Sequence, residues 1–126
     1  MTSRQVSILL VDDDESTRDL MTYLLDAADG AYRVTCAATS GAALAEISGG
    51  KYDLYILNYL IDERSGVDLC RQIRETDSTT PIVFNTGMAR ELDRATALAA
   101  GANAFLVKPT DFGILLATVT KLLGMS

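Results

Sequence analysis

The chain has 126 residues, 48% of them hydrophobic, with 17 acidic against 11 basic side chains and a net charge of −6. That length suits one compact domain with a sizeable core. The acidic balance argues against a nucleic-acid surface, and no apolar run approaches the ~20 residues that span a bilayer, so neither nucleic acid nor membrane is expected as a partner.

The N-terminal apolar stretch VSILLV is short and broken at once by acids, unlike a signal peptide, so the expected location is cytoplasmic. Cys36 and Cys70 are far apart in a chain with no histidine. They read as two buried free thiols, not a zinc set or a redox pair. Without histidine the chain has no His-based catalysis and no phosphohistidine of its own.

In chain order, SILLV (7–11) reads as a fully buried strand. DDDEST follows with helix N-cap residue types, and Leu20, Met21, Leu24, Leu25 and Ala28 recur at helical spacing, with Gly30 placed to end that helix. YRVTCA (32–37) is the second strand, and TSGAALAEIS (39–48) a short helix closed by Gly49 and Gly50. DLYILN (53–58) is the third strand, continuously apolar as a central parallel strand should be. A loop, YLIDERSG, leads to a helix with Val67, Leu69, Cys70 and Ile73 on its apolar side, ending near Thr76. Pro81 opens the fourth strand, PIVFNT. The next helix, over 89–100, has only Leu92 and Leu98 as large apolar groups and is capped by Gly101. AFLV (104–107) is the fifth strand, closed by Lys108 and Pro109, and Phe112, Leu115, Leu116, Val119 and Leu122 mark a last amphipathic helix. Five β–α alternations predict one α/β domain over residues 1–126, a doubly wound five-stranded parallel sheet, with no output domain.

In an open parallel sheet, ligands bind beyond the carboxyl ends of the strands. The first strand delivers Asp12, Asp13 and Asp14 there, the third Asn58, the fourth Thr86 and the fifth Lys108. Singly, each has a plainer explanation: acids favour a helix N-terminus, Thr86 suits a loop, and Lys108 a solvated surface. Their coincidence at one sheet end carries the signal. Packed acids repel, and a hard divalent cation such as Mg²⁺ relieves that. A lysine and a hydroxyl opposite suit phosphate oxygens.

LLVDDDE at the first strand, DLYILN…SG through the third, PIVFNTG at the fourth and AGANAFLVKP at the fifth together resemble the receiver domain of bacterial two-component response regulators, over nearly the whole chain. The resemblance implies a flavodoxin-like (βα)5 fold of strand order 2-1-3-4-5. It implies that Asp12 and Asp13 hold Mg²⁺, helped by the side chain at position 58 and the backbone carbonyl of Leu60. It makes Thr86 the switch hydroxyl, Lys108 the cation that pairs with a phosphoryl group, and Phe105 the switch aromatic. A sensor histidine kinase or a downstream signalling protein is the implied partner. The face of helix four, strand five and helix five is the implied docking or homodimer surface, where Ile114 and Lys121 lie away from the apolar stripe.

The departures from the pattern matter more. Asn58 stands where receivers carry the phosphoacceptor aspartate. An amide has no charge, and its nitrogen lone pair is delocalised, so no acyl phosphate forms by the usual route. Mg²⁺ affinity should be weakened or lost, and Lys108 loses an ionic partner while still able to donate to the amide oxygen. Asp62 stands where the loop usually has proline, near enough to approach as a surrogate acceptor. Asp53, at the amino end of its strand, lies roughly 17 Å away. Two origins stay open. Intact Asp12, Asp13, Thr86 and Lys108 suit an engineered aspartate-to-asparagine variant, and the unusual IDERSG loop suits a natural pseudo-receiver.

Two other classes compete. Asp12, Asp14 and Ser16 match the D-x-D-x-[ST] motif of haloacid-dehalogenase-type phosphohydrolases with Asp12 as nucleophile, but the acid pair needed after the lysine segment is reduced to Asp111. A flavodoxin-type electron carrier needs a phosphate-cradling loop after strand one, where this chain has DDDE.

Overall fold

The computed structural model describes residues 5–28, 31–62, 64–110 and 112–124. In chain order they form β1 (Val6–Val11), α1 (Glu15–Asp26), β2 (Tyr32–Ala37), α2 (Ser40–Gly49), β3 (Leu54–Leu57), β4 (Leu60–Ile61), β5 (Arg64–Ser65), α3 (Gly66–Thr76), β6 (Ile82–Thr86), α4 (Glu91–Ala99), β7 (Ala104–Val107) and α5 (Phe112–Leu122). Five strands make one sheet in the order β2-β1-β3-β6-β7, every pair parallel. Counted within that sheet alone, this is the expected flavodoxin-like order 2-1-3-4-5.

Alternation along the strands builds two cores. Leu9, Val11, Tyr55, Leu57, Ile82 and Phe84 pack with Val67, Leu69, Cys70 and Ile73 of α3 and Ala97 of α4. Ile8, Leu10, Leu54, Ile56 and Val83 pack with Met21 and Leu25 of α1 and Leu115 and Val119 of α5. Burying each such aliphatic side chain contributes about 1.5–3 kcal/mol. Because both faces are covered, the central strands are continuously apolar, as their sequence showed. The registers pair Val11 with Ala37 and Leu57, Leu57 with Phe84, and Thr86 with Val107, so the strands end together at one edge.

Several expectations are corrected. YLIDERSG is not plain loop: β4 and β5 pair as a small antiparallel ribbon, Leu60 opposite Ser65 and Ile61 opposite Arg64. Asp62 at its tip has φ 49°, a left-handed conformation that a short polar side chain tolerates better than most. Cys36 is exposed, because β2 is an edge strand with one neighbour; Cys70 is buried as expected. Leu20 is 58% exposed, off the apolar stripe of α1. That helix already ends at Asp26 with Ala27 as C-cap, and Gly30 lies outside the described residues. Helix α4 begins at Glu91 and turns its two leucines outward, burying Asp93 and Ala97 instead. Arg90 explains this: its guanidinium grips the Asp93 carboxylate at 3.0 and 2.9 Å, and its backbone N–H donates to the same group.

Two glycines and one arginine fix the helices around the site. A Cβ on Gly66 would stand 1.9 Å from the backbone oxygen of Asn58, and its N–H donates to Tyr59 O at 2.6 Å. Only glycine lets α3 start so close to the end of β3. Arg74 of α3 donates to the carbonyls of Gly101 and Asp77 and to Asn103 Oδ1, each at 3.0 Å, tying α3 to the turn before β7. Gly101 takes φ 114° under that guanidinium. Among the described residues no helix is long and apolar enough to cross a membrane.

Candidate functional site

The three consecutive acids after β1 do three different jobs. Asp12 is a buried hub, 1% exposed. Its Oδ2 accepts from Lys108 Nζ at 2.8 Å, and its Oδ1 accepts from the Asp14 N–H at 2.9 Å and from Asn58 Nδ2 at 3.4 Å. Its backbone carbonyl also takes Arg18 of α1 at 2.9 Å. Asp13 is exposed and accepts the Asp62 N–H at 3.1 Å, tying the ribbon tip to the sheet end. Asp14 is the N-cap of α1; hydrogen bonds from the Thr17 hydroxyl and N–H hold its carboxyl below the usual range.

Asn58 continues the ladder, its N–H donating to Val11 O at 3.1 Å, which places its side chain beside Asp12. Both ends of the amide are used: Oδ1 accepts the Tyr59 N–H at 2.9 Å while Nδ2 faces the Asp12 carboxylate. Thr86 is 1% exposed; its hydroxyl accepts the Met88 N–H at 3.2 Å, and its carbonyl takes the Lys108 N–H at 2.7 Å, which sets the lysine's approach. Phe105 is buried and stacks on Phe84 with centroids 6.1 Å apart, and Tyr59 meets it edge-on at 6.4 Å.

The structure thus gathers Asp12, Asn58 and Lys108 into one hydrogen-bonded cluster, with Asp13 attached through the ribbon and Thr86 through the lysine backbone. Leu60 lies in the ribbon, half-exposed. Lys108 pairs with Asp12, and not with the amide oxygen that was open to it. A full carboxylate charge outcompetes a neutral amide acceptor, and the amide oxygen is already engaged by Tyr59. Arg18 and Tyr59 were missed from sequence. Arg18 faces the site because Asp14 starts a helix whose first turn carries it back over β1, a placement that spacing alone does not reveal.

A family model described as the response regulator receiver domain matches residues 8–120. This chain belongs to that family. It is 31% identical to the sensory transduction protein RegX3 of Mycobacterium tuberculosis, over 93% of this chain and 50% of that protein. It is 33% identical to the transcriptional regulatory protein DltR of Streptococcus agalactiae, over 89% and 49% respectively. The receiver therefore spans about half the length of these curated relatives. A two-component response regulator from Clostridium difficile superposes with TM-score 0.89 at 28% identity, covering 95% of this chain and 97% of that one.

Receiver domains are generally non-enzymatic signalling domains that interact with sensor histidine kinases and typically bind Mg²⁺ at the phosphorylation site. The side chains around Asp12 are engaged with one another. Mg²⁺ needs a near-octahedral set of oxygens, whereas both Asp12 oxygens are engaged and Asn58 turns an N–H₂ group toward them. Among the described residues no group of three acids, histidines or cysteines converges. The phosphohydrolase alternative finds no support either: Asp12 is paired with Lys108 and Asp14 is a helix cap.

Proposed function

We infer that this receiver signals by protein–protein contact, with Asn58 in the phosphoacceptor position, and is not phosphorylated by the usual route. The supporting observation is the double engagement of the Asn58 amide, Nδ2 on Asp12 and Oδ1 on the Tyr59 N–H. The opposite orientation would set two acceptors face to face and two donors face to face. An aspartate there would add a charge beside Asp12, the repulsion a cation relieves; the amide relieves it with its own N–H. Mg²⁺ binding is accordingly weakened or absent, and Asp12, Asp13 and the Leu60 carbonyl are left without a task as ligands.

Without a covalent phosphoryl group, Thr86 and Lys108 have nothing to draw them together. Moving a two-state receiver from 1:99 to 99:1 takes about 5.5 kcal/mol of differential interaction. The domain rests in the arrangement with Phe105 buried, and its output is constitutive or set by a partner. That partner is a sensor histidine kinase, a downstream protein or a second copy, meeting the face of α4, β7 and α5, where Leu92, Val107 and Ile114 are exposed. A natural pseudo-receiver and an engineered Asp-to-Asn variant behave alike in these respects. The expected setting is the cytoplasm.

Incubation with a small-molecule phosphodonor and Mg²⁺, read by intact mass, tests this. The Asn58→Asp variant should gain one phosphoryl group and the present chain none. Labelling of the present chain that disappears in Asp62→Asn would make Asp62 the acceptor and overturn the proposal.

A further inference from the structure

The N-terminus of α2 differs from the rest of the polar surface in being built but unfinished. Thr39 caps this ten-residue helix, its hydroxyl accepting from the Ala42 N–H at 3.0 Å, and its carbonyl takes the Ala43 N–H at 3.0 Å. The backbone N–H groups of Ser40 and Gly41 have no intrahelical acceptor, as the first turn of a helix dictates. The Ser40 side chain is the second observation. It is 7% exposed, and its Oγ has no hydrogen-bond partner, the one such buried side-chain atom among the described residues. Burying a hydroxyl unpaired is costly, and a ligand bond removes that cost.

Ser40 lines two adjoining clefts, of about 250 and 320 Å³, and Arg64 of the β4–β5 ribbon lines both. Arg64 is exposed and makes no ion pair among the described residues. Gly41 lines the smaller cleft, and a Cβ there would meet nothing within 4 Å, so the approach to the helix end is open. Among the described residues two acids also face these clefts. Asp68 is paired with Arg71 at 3.1 Å, while Asp62 stands on the wall of the smaller cleft.

We propose that the Ser40 hydroxyl, the Ser40 and Gly41 N–H groups and the Arg64 guanidinium form a binding site for a small phosphate-class oxyanion. Helix N-termini attract anions through oriented N–H groups and the helix dipole, and guanidinium supplies two-pronged contact with tetrahedral oxyanions. Asp62 works against binding and limits the affinity. The consequence reaches the sheet end. The ribbon that supplies Arg64 also carries the Asp62 N–H that holds Asp13, and it continues directly from Asn58 and Tyr59. An anion bridging α2 to Arg64 fastens this ribbon, an input that needs no nucleophile at position 58. The site does not rest on the role assigned to Asn58.

Titration with inorganic phosphate against chloride at constant ionic strength, followed by backbone amide NMR, tests it. Saturable shifts are expected at Ser40, Gly41 and Arg64. Ser40→Ala should weaken binding about fivefold and Arg64→Gln about tenfold, while Asp62→Asn should tighten it. The free variants' spectra report whether each stays folded. Absence of saturable shifts, unchanged affinity in both Ser40→Ala and Arg64→Gln, or shifts confined to the surroundings of Thr86 and Lys108 would each overturn the proposal.

Discussion

The helix N-termini around the carboxyl edge of this sheet are finished in different ways. Helix α1 starts on Asp14, whose carboxylate takes two bonds from Thr17, while the Asp14 N–H is itself given to Asp12. Helix α3 starts under Ser65, whose hydroxyl takes the Val67 and Asp68 N–H groups, and the Gly66 N–H goes to Tyr59. Helix α2 has only the neutral Thr39 cap, with two N–H groups and a buried hydroxyl left over. A helix end ringed by its own carboxylates, as α1 is, repels a visiting anion even with its Glu15 and Ser16 N–H groups unspent, and one saturated by its cap and backbone, as α3 is, has nothing to offer it. One capped by a single hydroxyl is available. The anion site proposed at α2 would place a charged input at the rim of the sheet, away from position 58.

The largest effect should come from disturbing the closed side. Gly66→Ala forces a methyl group into the Asn58 carbonyl and should cost about 3 kcal/mol or more, measured by urea unfolding. Lys108→Met leaves the buried Asp12 charge with only the Asp14 and Asn58 donors. The lysine is 25% exposed, so the loss should be about 2 kcal/mol, below that for a fully buried pair. Adding Asp12→Asn should restore much of it; if Lys108→Met alone is neutral, the centre is not closed by this pair.

On the open side the signs reverse. Ser40→Ala removes an unpaired buried hydroxyl and should stabilise the anion-free protein by about 1 kcal/mol, an advantage that added phosphate erodes. Gly41→Ala, in a helical position with free space around it, should add about 0.5–1 kcal/mol in the same unfolding measurement. Two glycines near one edge should thus respond in opposite directions to the same methyl group.

The smallest effect separates the caps by pH. The folded-state value of Asp14 lies below its ordinary 3.8 because of the Thr17 bonds. Its carboxylate contribution is therefore complete above 3.8 and fades as pH falls through the lower folded value. The stability gap between the protein and its Asp14→Asn variant should close in acid. The deficit of Thr39→Ala, with no titrating group in that cap, should not.

Much of this was legible in the sequence because the signals were local or periodic. Continuous apolar runs gave the five sheet strands, and their shared end named Asp12, Asp13, Asn58, Thr86 and Lys108 together. What stayed hidden depends on contacts between distant segments. Asp93 is inside and Leu92 outside because Arg90 neutralises the acid, which hydrophobic spacing does not register. The YLIDERSG ribbon has no Asn-Gly or Gly-Gly turn to betray it, and its tip relies on Asp62 in a left-handed conformation. Arg74 reads as one more surface cation until Gly101 and Asn103 arrive from elsewhere in the chain. The acceptor of Lys108 stayed open because the sequence shows which groups meet but not which oxygen is already taken.

The most direct measurement is a Mg²⁺ titration followed on the Asn58 side-chain amide and the Asp13 and Asp14 backbone amides, with Asn58→Asp alongside. An amide that already hydrogen-bonds the Lys108-paired Asp12 carboxylate predicts no saturable shift in the present chain at millimolar Mg²⁺ and clear saturation in the aspartate form. Equal saturation of both proteins at those three positions would contradict it.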